Sequence, residues 1–384
     1  MYLFIYGKYI IGISKRQEMR RTACIIALCC ACFTTTLAKS GNQKLIKATD
    51  SNILYTGRTA QQADGSVSYD WVGTYVQTRF TGNSIAVNIS EIDTSYHNIF
   101  IDNRLIDKIK VSGREPHKVV LAENLGKGTH TLRLQKCTEG EYGCTTIHGF
   151  YVDKGAQLSP VARKSRMIEI IGDSYTCGYG TEGKKATERF KLSTENCNKA
   201  YGCIIARYFD ADYALVAHSG RGMVRNYGDS VRVSKANMSD RYGLLFDAHG
   251  TQAYDFKAYH PDLVIINLGT NDFSPIAIPS SAQYVGAYVK LIKRVKTNYG
   301  DVPVLCILPH SANIYLQANF RELKTAIANL QKVYLAAPML NIVSEEFDTG
   351  SDWHPNYQGQ QKIAMTLIPQ ISMIMGWQLN TDIQ

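Results

Sequence analysis

One serine in the sequence could act as a nucleophile. Ser174 lies in the segment Ile171-Gly-Asp-Ser-Tyr175, directly after an apolar run that predicts a β-strand. The hydroxyl of serine does not ionise near neutral pH, so a serine nucleophile needs a base within hydrogen-bonding reach. The same segment also fits a simple turn, and taken alone it favours that interpretation. Ser174 is therefore a candidate nucleophile only in combination with other groups.

A histidine near the C-terminus is the candidate base. His354 lies in Ser351-Asp-Trp-His-Pro355, just before the last helical pattern. It could take the proton of a serine hydroxyl, while Asp352, two residues earlier, could orient the imidazole and stabilise the imidazolium. Two other interpretations of this segment stay open: half of a metal site, or a histidine that merely flanks a helix before Pro355.

Two further segments could stabilise a developing oxyanion. A glycine can bring a backbone N–H close to the reacting atom and an asparagine side chain can add a second donor, each worth about 3 kcal/mol in the transition state. The candidates are Gly220, in His218-Ser-Gly-Arg-Gly222, and Asn271, in Asn267-Leu-Gly-Thr-Asn-Asp272. Glycine-rich turns also cradle phosphate, but these lack the usual spacings. Asn271 and Asp272 also fit helix caps.

The elements around these groups predict an α/β fold for the second half of the chain. From about Arg166, continuous apolar runs alternate with amphipathic stretches, as in parallel strands covered on both faces. In such a sheet, ligands bind at the carboxyl ends of the strands, where the candidate groups lie. The runs are Met167 to Ile171, Tyr213 to Ala217, Leu263 to Leu268 and Val302 to Leu308; the stretches are Gln283 to Thr297, Phe320 to Val333 and Asn356 to Trp377.

The first half has a different period. Between residues 39 and 158, apolar and polar residues alternate, which is typical of half-buried strands. A hairpin is predicted around Asp102-Asn103, whose side chains tolerate the left-handed backbone of a tight turn. Short strands without a helical stripe favour an antiparallel β-sandwich. The segment from Lys154 to Lys164 is the expected boundary, so the predicted domains are 39–158 and 165–384.

The N-terminus has the pattern of an export signal. Met19-Arg20-Arg21 precedes the apolar run 23–33, and Thr36-Leu37-Ala38 offers a cleavage site. Residues 1–38 are therefore predicted to be a signal peptide. Within them, Met19 is a better start than Met1, which makes residues 1–18 a candidate mispredicted extension. The run is shorter than the 18 or so residues of a membrane span. Of the net charge of +9, the first 38 residues carry +4. The remaining +5 is too mild and too scattered to indicate a nucleic-acid partner, and none is expected.

Export would decide which cysteines remain in the mature chain and would allow them to form disulfides. Four of the ten fall in the predicted signal peptide, and six remain. Six thiols in an exported chain allow 15 disulfide pairings, among which Cys137 with Cys144 is the most plausible local pair. A zinc site is disfavoured because no Cys-x-x-Cys occurs among the six.

The ordered set of segments resembles the four blocks of the SGNH, or GDSL, hydrolases. The N-terminal half resembles the jelly-roll domain of carbohydrate esterase family two, and the likeness extends over nearly the whole mature chain. The matching segments are Gly172-Asp-Ser174, the glycines near Gly220, Gly269-Thr-Asn-Asp272 and Asp352-Trp-His-Pro355, and in the first half Tyr55-Thr-Gly-Arg58, Asp70-Trp-Val-Gly73, Phe80-Thr-Gly82 and His130 to Lys136.

The resemblance implies a role for each site residue. Ser174 would be the nucleophile and His354 the base, and the oxyanion hole would be formed by Ser174, Asn271 and Gly220, or Gly222 in place of Gly220. The family pattern has its aspartate three residues before the histidine, where this chain has Ser351, so either Asp352 completes a triad or a backbone carbonyl orients a dyad. Trp353 fits two roles, stacking on a sugar ring or packing against the sheet.

The prediction is an exported serine esterase that removes acetyl groups from polysaccharides such as xylan or mannan, without metal or cofactor, as the resemblance implies. Its partner would be the acetylated glycan; no membrane span is expected. Two rivals remain: a GDSL lipase or thioesterase, which would need a wide apolar cleft, and a carbohydrate-binding protein without turnover. Tyrosine, asparagine and arginine around the motifs disfavour the first, and the intact Ser, Asn and His set disfavours the second.

Overall fold

The structure is a computed structural model that describes residues 43–379. The predicted signal peptide and its four cysteines lie outside the described residues. From Lys44 onward, the described residues pack as one unit. No helix in this part of the chain is long and apolar enough to cross a membrane.

The first part of the chain forms an antiparallel sheet of ten strands. In hydrogen-bonded order the main path runs β10-β5-β8-β6-β9-β4-β3, while β1 pairs with β9, β2 with β5 and β7 with β6. The strands are β1 Gln43–Lys47, β2 Leu54–Thr56, β3 Ala60–Gln61, β4 Val67–Tyr69, β5 Tyr75–Thr81, β6 Ile85–Ile101, β7 Arg104–Ala122, β8 Thr129–Lys136, β9 Gly143–Asp153 and β10 Leu158–Ser159.

The long strand β6 changes its pairing partner along its length. Residues 85–93 of β6 pair with β9, and residues 97–101 pair with β8. The register shifts between Glu91 and Thr94, where Asp93 has φ of 63°. Val87 and Ile99, on opposite sides of this shift, both reach the same apolar core. The predicted antiparallel half is confirmed, as one continuous sheet that folds over its own core.

The predicted hairpin is also confirmed. β6 ends at Ile101 and β7 begins at Arg104, and these two residues pair across the turn. Asp102 and Asn103 have φ of 51° and 64°. Positive φ at both central residues defines the tight turn that matches the twist of two antiparallel strands.

The second part of the chain is a parallel sheet of five strands in the order β12-β11-β13-β14-β15. All its neighbouring strands run parallel. β12 lies on one side of β11, and β13 and the later strands lie on the other side. Because the strand order reverses at β11, a crevice opens at the carboxyl end of this strand. The strands are β11 Met167–Gly172, β12 Asp212–Ala217, β13 Leu263–Asn267, β14 Val304–Cys306 and β15 Val333–Leu335.

Helices cover both faces of the parallel sheet, and one apolar cluster lies on each face. The predicted stretch Phe320 to Val333 is wrong in its bounds: the helix begins earlier, where the Asn313 side chain accepts the N–H of Leu316, and Val333 belongs to a strand. The helices are α1 Ser174–Cys177, α2 Tyr201–Tyr208, α3 Met238–Arg241, α4 Ser281–Tyr299, α5 Ile314–Ala326 and α6 Tyr357–Met375.

A buried ion pair joins the two sheets. Arg58, which follows β2, lies 3.7 Å from a carboxylate oxygen of Glu169 in β11, and both side chains are almost fully buried. The Arg58 guanidinium also donates to the carbonyls of Tyr242 and Leu244, at 2.8 and 2.7 Å. The boundary between the two predicted domains stays a prediction, although residues 160–166 contain neither strand nor helix.

Cys137 and Cys144, the most plausible local pair, do not form a disulfide in the structure. All six cysteines of the described residues are buried and unpaired. Cys137 follows the end of β8, where its Sγ lies 3.8 Å from the carbonyl oxygen of Gln135. Cys144 belongs to β9, near the carboxylates of Asp70 and Glu91. The two thiols thus occupy different environments on either side of a turn.

Candidate active site

Ser174 is the first residue of α1, and only Asp173 separates it from the end of β11. Asp173 caps the helix, because its carboxylate accepts the N–H of Tyr175 at 3.1 Å. Burial raises the pKa of Asp173 to about 7. A methyl group at Gly172 would overlap the side-chain hydroxyl of Thr176, so only glycine allows the helix to start this close to the strand. The result is a serine hydroxyl held at the carboxyl end of the central strand.

His354 lies against this hydroxyl. Its Nε2 is 2.9 Å from Oγ of Ser174, and its Nδ1 is 2.9 Å from the main-chain carbonyl oxygen of Asp352. A carbonyl oxygen can only accept, so Nδ1 carries the proton and donates to it. Nε2 is then free to accept the proton of the serine hydroxyl, which is the arrangement that a general base needs.

The carboxylate of Asp352 does not take the expected position beside His354. It forms an ion pair with Arg189 at 2.9 Å and accepts the N–H of Phe190 at 3.0 Å and the hydroxyl of Tyr179 at 3.1 Å. The reason is the left-handed backbone of Asp352, with φ of 48°, which turns the carbonyl toward the imidazole and the side chain away from it. The expectation of an Asp352 carboxylate in a triad is therefore corrected.

Aromatic rings surround the imidazole. The ring of Tyr179 lies 4.3 Å from that of His354, centroid to centroid, and the ring of Phe190 stacks on Tyr179 at 3.9 Å. Burial among these rings lowers the pKa of His354, against the opposing contribution of its hydrogen bond to the Asp352 carbonyl. His354 is thus neutral at neutral pH and ready to accept a proton.

Gly220 and Asn271 lie at the same cleft as Ser174. Gly220 has φ of 74°, which favours glycine. The side-chain nitrogen of Asn271 donates to the carbonyl of Arg221 at 3.0 Å and lies 3.3 Å from the Asp173 carboxylate, which fixes the direction of the amide. The structure thus brings both residues predicted to form the oxyanion hole to the cleft that Ser174 lines.

Gly222 has a different environment. A methyl group there would overlap the carbonyl oxygen of Arg225 and the carboxylate of Asp272, and its N–H faces the side chain of Asn226 at 3.4 Å. Gly222 therefore serves the packing of the loop that follows β12, whereas Gly220 is the glycine that borders the cleft.

Hydrogen bonds of Asp272 and Arg225 connect the loop after β12 with the loop after β13. The carboxylate of Asp272 accepts the N–H groups of Met223, Val224 and Arg225 at 2.7–2.9 Å. In return, the buried guanidinium of Arg225 donates to the carbonyls of Asn271 and Asp272, at 3.2 and 3.3 Å. Burial raises the pKa of Asp272 to about 6, although the three N–H groups oppose that shift.

The cleft has a volume of about 750 Å³ and is lined by polar and aromatic groups. Trp353 is half exposed and donates its indole N–H to Glu345 at 2.8 Å. Its ring thus borders the cleft and does not pack against the sheet. Other lining residues are Tyr175, Tyr179, Arg189, Tyr227, Thr270, Phe273, Ser311 and Asn313.

Within residues 43–379, one group of side chains is close enough to share a metal ion: Glu139, Cys177 and Glu195, all buried. Oε2 of Glu139 already accepts the N–H of Ser219 at 2.6 Å and the thiol of Cys177 at 3.4 Å. These contacts tie the group to the loop before Gly220.

Several of these residues carry no signal in the sequence. Glu139 and Arg225 lie in polar loops, where a charged residue usually faces solvent, and both act through contacts with distant segments. Tyr179 and Arg189 lie after α1, and their positions in the sequence show no regular spacing from Ser174. The contact between the Asp352 carbonyl and His354 depends on the left-handed backbone of Asp352. A single sequence does not show this backbone conformation.

A serine after the first parallel strand, a glycine and an asparagine after the next two strands and a histidine before the last helix follow one another in the order of the SGNH, or GDSL, hydrolases. The family model described as "GDSL-like Lipase/Acylhydrolase family" matches residues 170–362, and that described as "Carbohydrate esterase 2 N-terminal" matches residues 55–161. The chain belongs to carbohydrate esterase family two and is a carboxylic ester hydrolase.

Two relatives align with most of this chain. It is 31% identical over 330 residues to the cellulase/esterase CelE of Acetivibrio thermocellus, covering 85% of this chain and 40% of CelE. It is 30% identical over 324 residues to an acetylxylan esterase / glucomannan deacetylase of Cellvibrio japonicus, covering 81% of this chain and 87% of the relative. This chain therefore spans less than half of CelE but most of the second relative.

A solved structure has the same fold. The family two carbohydrate esterase from Clostridium thermocellum in complex with cellohexaose superposes with a TM-score of 0.78 at 30% identity, covering 85% of this chain and all of that chain. The predicted order of an antiparallel half followed by a parallel α/β half is thus confirmed by a relative as well as by this chain.

Proposed function

We propose that the chain is an exported esterase that removes acetyl groups from polysaccharides, with Ser174 as nucleophile and His354 as base. The observation that carries the proposal is the 2.9 Å contact between Oγ of Ser174 and Nε2 of His354, whose Nδ1 is bound to a carbonyl oxygen. The activity named for the Cellvibrio relative supports the choice of acetyl group and of glycan. The signal-peptide pattern of residues 1–38 supports export.

In the first step, Oγ of Ser174 attacks the acetyl carbonyl carbon while its proton passes to Nε2 of His354. The former carbonyl oxygen becomes an oxyanion. The N–H groups of Ser174 and Gly220 would donate to it, each contributing about 3 kcal/mol to the stability of the transition state. Asn271 would add a third donor by turning to the oxyanion the amide hydrogen that faces the Asp173 carboxylate at 3.3 Å. The Asp352 carbonyl keeps the imidazolium in place.

In the second step, the bond between the acetyl carbon and the sugar oxygen breaks. His354 returns its proton to that oxygen, the sugar hydroxyl leaves and acetyl-Ser174 remains. A water molecule then attacks the acetyl carbon with His354 again as base. Acetate leaves, and the proton returns to Oγ of Ser174.

The cleft suits a sugar chain better than a long acyl chain. Trp353 and Tyr227 are 50% and 68% exposed, so each offers a broad ring surface on which a sugar can stack. Thr270, Ser311 and Asn313 add hydrogen-bonding groups to the lining. A lipase would need an extended apolar surface in the same place.

The decisive experiment measures acetate release from acetylated xylan and acetylated glucomannan by wild type and Ser174→Ala. The substitution should lower kcat by at least about a thousandfold, because the nucleophile is lost. Ser372→Ala is the matched control, since Ser372 lies in the last helix, away from the cleft, and its hydroxyl binds the carbonyl of Trp377 just after that helix. An active, folded Ser174→Ala protein would refute the mechanism.

Two comparisons separate the rival functions. A lipase would hydrolyse 4-nitrophenyl octanoate faster than 4-nitrophenyl acetate, whereas the proposed esterase prefers the acetate. A carbohydrate-binding protein without turnover would bind the glycan and release no acetate from it. Acetate release that depends on Ser174 excludes this second rival.

A further inference from the structure

A short turn from the antiparallel half reaches the loop that carries Gly220. Glu139 precedes the 3₁₀ turn Gly140–Tyr142, which lies between β8 and β9. Oε2 of Glu139 accepts the N–H of Ser219 at 2.6 Å. Ser219 is the residue directly before Gly220. The antiparallel half thus holds the backbone at the edge of the cleft.

The same carboxylate oxygen also contacts the nucleophile helix. The thiol of Cys177, the last residue of α1, lies 3.4 Å from Oε2 of Glu139. Glu139 and Cys177 are completely buried. One oxygen atom therefore connects the helix that begins at Ser174 with the loop that presents Gly220.

A second contact of the turn secures the same loop. Nε2 of His218 lies 3.3 Å from the carboxylate of Glu141, and Nδ1 of His218 lies 2.8 Å from that of Asp247. Burial would lower the pKa of His218, but Asp247, Glu141 and Glu139 outweigh it and raise the pKa to about 9. The imidazole is thus a cation at neutral pH, placed next to Ser219 and clamped by carboxylates.

The close fit of the turn leaves no room for a side chain at Gly140. A methyl group there would lie 2.9 Å from Cβ of Asp247, closer than such atoms approach in proteins. The backbone therefore rests directly on the residue that orients His218, which fixes the distance between Glu139 and Ser219.

The surroundings of Glu139 leave its carboxylate available for Ser219. Glu195, also buried, accepts the N–H of Glu139 at 3.4 Å. Burial and the neighbouring Glu139 carboxylate raise the pKa of Glu195 well above its usual range, which favours the neutral acid. Oε2 of Glu139 accepts both the Ser219 N–H and the Cys177 thiol.

We infer that Glu139 is a positioning residue for the oxyanion hole: its carboxylate sets the place of the Ser219–Gly220 backbone relative to Ser174. The inference rests on the proposed function, since it assumes the roles of Ser174 and Gly220. It assigns part of the catalytic geometry to the antiparallel half of the chain, which contributes no other group to the reacting atoms in the proposed mechanism.

The test compares Glu139→Ala with Glu139→Gln in the full-length chain, using 4-nitrophenyl acetate. Loss of one oxyanion donor costs about a hundredfold to a thousandfold in kcat, and a misplaced donor should cost less, so Glu139→Ala should lower kcat by roughly 10- to 100-fold with KM within about threefold. Glu139→Gln keeps an oxygen that accepts the Ser219 N–H and should restore most of kcat.

The matched control is Glu91→Ala. Glu91 is another buried carboxylate of the same half, but its contact is with the hydroxyl of Thr145 at 2.6 Å. It should lose stability and retain kcat. If Glu139→Ala does not fold, Glu139→Asp replaces it, because the side chain is one methylene too short to reach Ser219 and should again lower kcat.

A second readout separates this inference from the proposed function. Diethyl 4-nitrophenyl phosphate should phosphorylate wild type at Ser174, located by mass spectrometry, and the rate should fall in Glu139→Ala in parallel with kcat. Wild type that is not labelled at Ser174 refutes the proposed function. Labelled wild type with unchanged kcat and labelling rate in the folded Glu139 variants overturns the inference alone, as does a change confined to KM.

Discussion

The main-chain carbonyl oxygen of Asp352 lies 2.9 Å from Nδ1 of His354, while the carboxylate of the same residue pairs with Arg189. A carbonyl orients the imidazole and selects its tautomer as a carboxylate would. It carries no full charge, however, and so stabilises the imidazolium less. The proposed mechanism therefore uses a serine–histidine pair that the backbone orients.

This relationship predicts a mild effect of Asp352→Asn. Loss of a triad carboxylate lowers kcat by about 10⁴, but here the orienting carbonyl stays, and asparagine tolerates the left-handed backbone of this position. The lost ion pair involves Arg189, which is largely exposed and contributes little. We expect kcat for acetylated xylan to fall by no more than about tenfold. A loss near 10⁴ would show that the carboxylate acts directly on His354.

The lowered pKa of His354 predicts how activity depends on pH. The base must be neutral, so activity rises with pH through the pKa of His354 and is lost below it. Because burial lowers that pKa, the midpoint of the acidic limb of kcat/KM should lie below the ordinary value of 6.5. A midpoint above 6.5 that persists in Asp173→Asn would contradict this prediction.

A second group complicates the same pH range and needs its own variant. The pKa of Asp173 is about 7, so its protonation could also shape the profile. Asp173→Asn removes this titration, and asparagine still caps the helix at Tyr175. The acidic limb should persist in this variant if His354 causes it, and should disappear if Asp173 does.

The sequence predicts the fold class because each half has its own period. Val87 and Ile89 in β6 alternate with smaller or polar neighbours. Residues 263–266 of β13 are all apolar and all buried, in a strand covered on both faces. Such local patterns survive folding. The continuity of the ten-stranded sheet does not follow from them, because it depends on one strand changing partner near Asp93.

The candidate site is predictable to the extent that its groups follow strand ends. Ser174, Asn271 and His354 occupy loops that the parallel fold must bring together. Glu139 is 80 residues from Ser219 in the chain, and Arg225 acts on loops about 46 residues away. Contacts of this kind are decided by packing between segments, and neither spacing nor composition predicts them.

The buried pair of Arg58 and Glu169 predicts a large loss of stability in Arg58→Met. Removing one partner leaves a buried, uncompensated charge, which typically costs about 3–5 kcal/mol. The hydroxyls of Tyr259 and Tyr299 still bind Glu169, at 2.5 and 2.9 Å, and limit the loss. Urea denaturation should show a decrease of roughly 3 kcal/mol.

The double variant Arg58→Met with Glu169→Gln is the control for this prediction. It removes both charges, so it should be more stable than Arg58→Met alone. If both variants lose the same free energy of unfolding, the effect comes from lost packing against rings such as Trp71, 5.5 Å from the guanidinium, and not from the unpaired carboxylate.

Gly350 lies between His354 and Gly180, so a substitution at Gly350 should displace His354 without replacing it. Its N–H donates to the carbonyl of His354 at 2.7 Å, and a methyl group on it would overlap the carbonyl oxygen of Gly180. Gly350→Ala should therefore displace the segment that carries His354. A shift of about 1 Å in a catalytic group can cost about a hundredfold in rate, whereas overpacking costs about 1–3 kcal/mol of stability. We expect kcat to fall by roughly a hundredfold in protein that remains folded.

Gly155→Ala is the matched control, because a methyl group there meets no atom within 4 Å. Its free energy of unfolding should change by less than about 0.5 kcal/mol and its kcat should match wild type. Calorimetry and initial rates on 4-nitrophenyl acetate measure both quantities. If Gly350→Ala loses stability but keeps its kcat, the segment has relaxed without moving Nε2 of His354 from Ser174, and the contact between Gly350 and Gly180 does not control the catalytic geometry.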